Sequence, residues 1–210
     1  MSTPDLLVTE PAGEPAGTLL LAHGAGAPMD SATLEAAAAA LAGQGVHVVR
    51  FEFPYMAARR TGSRRPPPKA ETLVDDYRAA VDATLARFGG PLLIGGKSLG
   101  GRVSVLAAGT VLDSRVLGVV VYGYPFHPPG KPEATRLAPL SDCRLPVTIL
   151  QGSRDPFGTA EDVAAYPLPA TVTVRWFEDG DHDLKPRKAS GRTLSGHLET
   201  AAAVVRRLFA

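Results

Sequence analysis

Six short apolar runs recur along the chain: TLLLAH (18–23), VHVVRF (46–51), PLLIGG (91–96), VLGVVVY (116–122), PVTILQG (146–152) and TVTVRW (171–176). The middle runs are apolar at consecutive positions, as strands are when both faces are covered, whereas TVTVRW alternates and predicts a half-covered edge strand. Helical patterns lie between them. Residues 31–42 are alanine-rich after the capping candidates Asp30 and Ser31, with Gly43 and Gly45 as the stop. From Glu71 to Phe88, one stripe carries Leu73, Val74, Tyr77, Val81, Leu85 and Phe88 before Gly89 and Gly90 end it. Leu99–Leu112 and Gly191–Phe209 complete the set, the latter turning Leu194, Leu198, Ala201, Val205 and Leu208 to one side.

Strands alternating with helices require long right-handed crossovers and a mainly parallel sheet. The expectation is a single α/β domain over residues 18–210, with about six strands and helices on both faces. Residues 1–17 form an N-terminal segment with room for one extra edge strand. The one compositional break is YMAARRTGSRRPPPKAE (55–71), basic and proline-rich, which reads as a functional or mobile connection rather than a domain linker.

Composition narrows the function. Charges nearly cancel, 22 Lys and Arg against 21 Asp and Glu, so the broad basic field that draws in nucleic acid or an anionic membrane is missing. No apolar run is long enough for a membrane span, and MSTPDLLVTE has neither a basic start nor a cleavage site, which implies a cytoplasmic protein. The lone Cys143 excludes an internal disulfide and reads as a buried, inert thiol.

The segment LLIGGKSLGGRV (92–103) poses the chemical question. Read as a phosphate-binding loop, GKS needs a glycine at position 91, which is Pro91, and the four residues between are mostly strand where a flexible loop is required. Gly96-Lys97-Ser98-Leu99-Gly100 fits G-x-S-x-G instead, between a buried strand and a helix. There the glycines permit close backbone approach and the turn lifts the serine hydroxyl clear.

A serine hydroxyl needs a base, and the base needs an orienting group. The loop SRDPFG after the fifth run supplies Asp155, and DGDHDL after the sixth supplies His182. The chain order is serine, acid, base, and all three fall at strand carboxyl ends, where open α/β sheets bind ligands. HGAGAP (23–28), after the first run, supplies an oxyanion donor from Ala25 or Gly26 to complement the N–H of Leu99. His23 reads as a brace for that loop. Asp155 has a plainer alternative as a turn residue near Thr159, with Asp162 the fallback acid. Asp179, Asp181 and Asp183 beside His182 lack the glycine and glutamate of a calcium loop, so neither metal nor cofactor is expected.

HGAGAPM, GGKSLGGR, GSRDPFG and DGDHDLKP together resemble the α/β-hydrolase superfamily, in particular its small, lid-poor dienelactone-hydrolase-like group, related to testis-expressed protein thirty. The resemblance runs from about Thr18 to the end. It implies a serine hydrolase with a minimal cap or none and with Ser98, Asp155 and His182 as nucleophile, acid and base.

The expected partner is a small ester or thioester. Tyr55, Met56, Phe126, His127 and Phe157 are candidate pocket walls. Arg59, Arg60, Arg64, Arg65 and Lys69 would favour an anionic substrate if they face the site, although a solvated loop is the plainer reading. Two rivals stand beside this reading: a non-catalytic hydrolase-fold scaffold that binds through the 55–71 loop, and a peptidase or C–C hydrolase with the same triad.

Overall fold

The computed structural model describes residues 4–62, 65–110 and 113–210. In chain order it runs β1 (Leu6–Thr9), β2 (Thr18–Ala22), α1 (Ala32–Gly43), β3 (His47–Phe51), α2 (Pro54–Arg60), α3 (Val74–Arg87), β4 (Leu92–Lys97) and α4 (Leu99–Ala108). It continues with β5 (Val116–Tyr122), α5 (Ala138–Asp142), β6 (Val147–Gly152), α6 (Ala160–Ala164), β7 (Val172–Phe177) and α7 (Leu194–Arg207). The sheet has seven strands in the order β1-β3-β2-β4-β5-β6-β7. Every pairing is parallel except that of β1 with β3, so residues 6–9 supply the extra antiparallel edge strand.

Alternation along each strand builds two apolar layers. Leu20, Ala22, Val49 and Ile94 face Tyr77 and Val81 of α3 and Val103 of α4. Leu19, Leu21, Val48 and Leu93 face Leu34 and Leu41 of α1 and Leu198 and Val205 of α7. Burying each such side chain stabilises the fold by roughly 1.5–3 kcal/mol, which is why these runs need both helical layers. β7 has a neighbour on one side only and leaves Thr173, Arg175 and Trp176 exposed, as its alternation predicts. Cys143 is buried, and burial pushes its thiol pKa up.

Three boundaries differ from expectation. The 55–71 segment is not irregular throughout: Pro54, whose fixed φ suits a first helical turn, starts α2, and a 3-10 turn at Ala70–Leu73 leads into α3. The predicted 71–88 helix is therefore that 3-10 turn followed by α3. α4 ends at Ala108, while Arg64 and Leu112 lie outside the described residues. The β5–β6 connection holds only the short α5, so no inserted layer covers the carboxyl edge of the sheet there. Among the described residues no helix is long and apolar enough to cross a membrane.

Candidate active site

Ser98 links β4 to α4 with φ 51° and ψ −111°, in the left-handed region that a non-glycine residue enters only when its surroundings force it. Glycine makes the turn possible on both sides. A side chain at Gly96 would lie 2.5 Å from the carbonyl carbon of Gly100, and one at Gly100 would lie 2.5 Å from the carbonyl oxygen of His23. The Ser98 N–H donates to the carbonyl of Tyr122 at 3.0 Å, and its hydroxyl does not cap the helix it begins. The simpler role of a helix cap is therefore not the one it fills.

The loop after β2 lies against this turn, with the Cβ position of Gly24 3.8 Å from Ser98 Cβ. His23, fully buried, holds the loop: its Nδ1 stands 2.6 Å from the carbonyl of Gly24, and its Nε2 accepts the Phe53 N–H at 3.1 Å. Those two contacts define the Nδ1–H tautomer, and burial lowers the imidazole's pKa, so the ring is neutral. The Tyr55 hydroxyl donates to the carbonyl oxygens of Gly24 and Ala25 at 3.4 and 3.2 Å, and its own pKa is pushed up to about 12 by burial. In a trans peptide the carbonyl and the following N–H point oppositely. His23 and Tyr55 thus turn the N–H groups of Ala25 and Gly26 to the other side of the loop.

Asp155 follows β6 and is fully buried. Its Oδ2 accepts from Gln151 Nε2 at 2.9 Å and lies 2.7 Å from His182 Nδ1, while Oδ1 accepts the Phe157 N–H at 2.8 Å. An ionised carboxylate only accepts, so a neutral imidazole here carries its proton on Nδ1 and leaves Nε2 unprotonated. The Phe157 ring packs on the imidazole, centroids 4.4 Å apart. Asp162, the fallback acid, is otherwise engaged: it closes a capping box with Thr159, whose hydrogen bonds hold its pKa below the usual carboxylate range.

The His182 loop is bracketed by two non-glycine residues with positive φ, Asp179 at 58° and Leu184 at 61°. Asp179 accepts from the Arg187 N–H and from Arg187 Nε, both at 2.7 Å, and faces Arg154 at 2.9 Å; Arg187 above all holds its pKa down at about 2. Asp181 accepts the N–H groups of Asp183 and Lys185. Lys97, beside Ser98, donates to the His182 carbonyl at 3.0 Å and pairs with Asp183 at 2.8 Å. These partners account for the acidic cluster around His182.

The remaining candidates divide. Tyr55 and Phe157 are half-buried and touch the loop after β2 and the imidazole respectively, whereas Phe126 is fully buried in the core and Met56 is also buried. His127 is buried, facing the carbonyl of Pro128 at 2.8 Å and Asp162 at 3.4 Å. Arg60 is neutralised by Glu52 and Asp30, and the Arg59 guanidinium lies 5.5 Å from the Tyr55 ring centroid. Arg65 and Lys69 are exposed. A groove of about 660 Å³ lined by Met29, Phe51, Glu52, Ala57, Arg60 and Asp76 lies beside this cluster and includes none of Ser98, Asp155 or His182. Sequence reasoning passed over Gln151, a polar residue inside an apolar strand, and Lys97, which read as the variable position of G-x-S-x-G.

A family model described as an alpha/beta hydrolase domain matches residues 15–210. Among solved structures, the chain is similar to a lid-less α/β serine hydrolase from Xanthomonas campestris, with 24% identity over 97% of this chain and 88% of that one and a TM-score of 0.71. It is also similar to a dienelactone hydrolase from Anabaena variabilis ATCC 29413, with 18% identity, 97% and 89% coverage and a TM-score of 0.73. An α/β serine hydrolase homologue from Coxiella burnetii shares 20% identity over 98% of this chain and 91% of that one, with a TM-score of 0.69. No curated protein matches the chain.

Proposed function

The chain belongs to the alpha/beta hydrolase domain family, and from that premise we propose that it is a serine hydrolase cleaving a small ester or thioester through Ser98, His182 and Asp155. His182 takes the Ser98 proton as Oγ attacks the carbonyl carbon, and the carbonyl π electrons move to oxygen. The N–H groups of Leu99 and of Ala25 or Gly26 stabilise that oxyanion, each such donor lowering the barrier by roughly 3–4 kcal/mol. Collapse expels the alcohol or thiol with the proton from His182 and leaves an acyl-enzyme. Water activated by the same imidazole then releases the acid. Asp155 holds the tautomer throughout. An anionic substituent would meet Arg59 rather than the ion-paired Arg60.

One observation carries this reading: a buried carboxylate 2.7 Å from an imidazole whose loop is tied to the turn presenting Ser98. A scaffold needs no such arrangement. Fluorophosphonate labelling with peptide mapping tests it, the expected adduct being at Ser98. Ser98→Ala is expected to abolish the adduct and to reduce turnover of p-nitrophenyl acetate by at least about 10⁴-fold. Full turnover in that variant would overturn the assignment.

A further inference from the structure

We propose that Lys97 is a positioning residue for the base: it sets the height of His182 over Ser98 and balances the charge beside the imidazole. The proposal rests on the reading of Ser98 and His182 as nucleophile and base. Lys97 precedes Ser98 directly, so its Cα is fixed by the same strand end that fixes the nucleophile. Its ammonium reaches across to the His182 loop and makes two contacts there, with the His182 carbonyl oxygen at 3.0 Å and with Asp183 Oδ1 at 2.8 Å. The side chain is 15% exposed while Asp183 is 49% exposed, so the ammonium lies inside and the carboxylate at the rim. A solvated surface lysine would show the reverse of this burial.

The surroundings explain why such a tie is needed. Around the Lys97 stem, Leu34, Ala37, Tyr122, Leu184 and Leu198 wall a small gap under the loop. Apolar packing of that kind is non-directional and does not fix the loop's height. The ammonium does so directionally, with two charge-assisted contacts to consecutive residues. The nucleophile and the base are thereby referred to one rigid strand end, although they lie far apart in sequence.

The ion pair also has an electrostatic consequence. The titratable and charged groups facing His182 are Asp155 from the β6 loop, Lys97 from the end of β4 and Asp183 on its own loop, with Lys185 near Asp183. Burial opposes ionisation of Asp183, but the hydrogen bond and charge of Lys97, with smaller contributions from His182 and Lys185, together hold that pKa below its usual value. Asp183 is thus an anion paired with a cation, and the imidazole meets a nearly neutral pair. Removing the cation leaves an anion that favours the protonated ring. Removing the anion leaves a cation that disfavours it.

The test is the rate constant for fluorophosphonate labelling of Ser98, with turnover of p-nitrophenyl acetate, across about pH 5 to 9. Lys97→Met is expected to lower kcat about ten- to a hundredfold with KM within about twofold, because a displacement near 1 Å has that effect. Its acidic limb moves to higher pH by roughly half a unit to one unit, and Asp183→Asn moves the limb to lower pH by a similar amount. The double variant returns the limb to its original place without restoring the rate, and Lys97→Arg recovers most of the rate. Limbs that stay fixed or move the same way in both single variants would overturn the proposal, as would an unchanged kcat in Lys97→Met. If Lys97→Met fails to give a native near-ultraviolet spectrum, Asp183→Asn and Lys97→Arg carry the same test. A wild-type protein inert to the probe overturns the reading of Ser98 and His182, and this assignment falls with it.

Discussion

The turn that carries Ser98 holds one residue in the left-handed region and gives it glycine two positions away on either side. The loop that carries His182 holds two such residues, Asp179 and Leu184, and secures them by side chains from elsewhere: Arg154 and Arg187 on Asp179, His197 on the Leu184 carbonyl, and Lys97 on Asp183. Strain of this kind costs on the order of 1–3 kcal/mol per residue and persists only where the surroundings over-determine it. In the first case the surroundings are closely packed backbone, that of the turn itself and of the β2 and β5 ends beside it. In the second they are side chains: Lys97 at the end of β4, Arg154 in the β6 loop, Arg187 further along the same connection and His197 on α7. The position of Ser98 is consequently set by close backbone packing that glycine permits, and that of His182 by side chains reaching its loop.

The two turns should therefore fail differently. Gly100→Ala places a methyl group 2.5 Å from the His23 carbonyl oxygen and 2.8 Å from Ala22 Cβ, both part of the rigid β2 end. Neither can move without shifting the sheet, so a loss of about 3 kcal/mol in unfolding free energy is expected, read by denaturant titration, with activity lost in proportion to folded protein. Asp179→Asn removes the charge that holds Arg154 and Arg187 but leaves strand and core untouched. The expected result is about a tenfold drop in the labelling rate at Ser98 with the melting temperature changed by only a few degrees. If Gly100→Ala folds normally, or if Asp179→Asn unfolds the domain, the distinction between the turns is wrong.

The same distinction explains what the sequence disclosed. Strand runs and the serine turn are written in consecutive residues, because apolar patterning and glycine spacing act locally. The Asp155–His182 contact was inferable only from the loops' shared edge. What stayed hidden were side chains whose partners lie far along the chain. Arg60 read as part of a free basic patch, yet Glu52 and Asp30 neutralise it, because α2 turns it back toward β3. Pro54 was the available signal for that helix. Gln151 holds Asp155, Tyr124 and Gly158 together, but from sequence it is only one polar residue in an apolar strand.

The loop after β2 belongs with the His182 loop in this scheme, since His23 and Tyr55 rather than glycine geometry alone orient its peptides. That yields the smallest predicted effect. Burial lowers the folded-state pKa of His23, whereas in the unfolded chain it returns to about 6.5. As pH falls below that value the unfolded chain takes up a proton that the native state refuses, so stability falls with pH until the folded value is reached. Between about pH 7 and 5 the unfolding free energy should therefore decline, by at most about 1.4 kcal/mol per pH unit for each such proton. His23→Gln can donate to the Gly24 carbonyl and accept from Phe53 N–H without titrating, so it should flatten the slope. His47, whose pKa burial also lowers, keeps the slope from vanishing. An unchanged slope in His23→Gln would mean that the ring is not held neutral, and the loop's orientation would then need another origin.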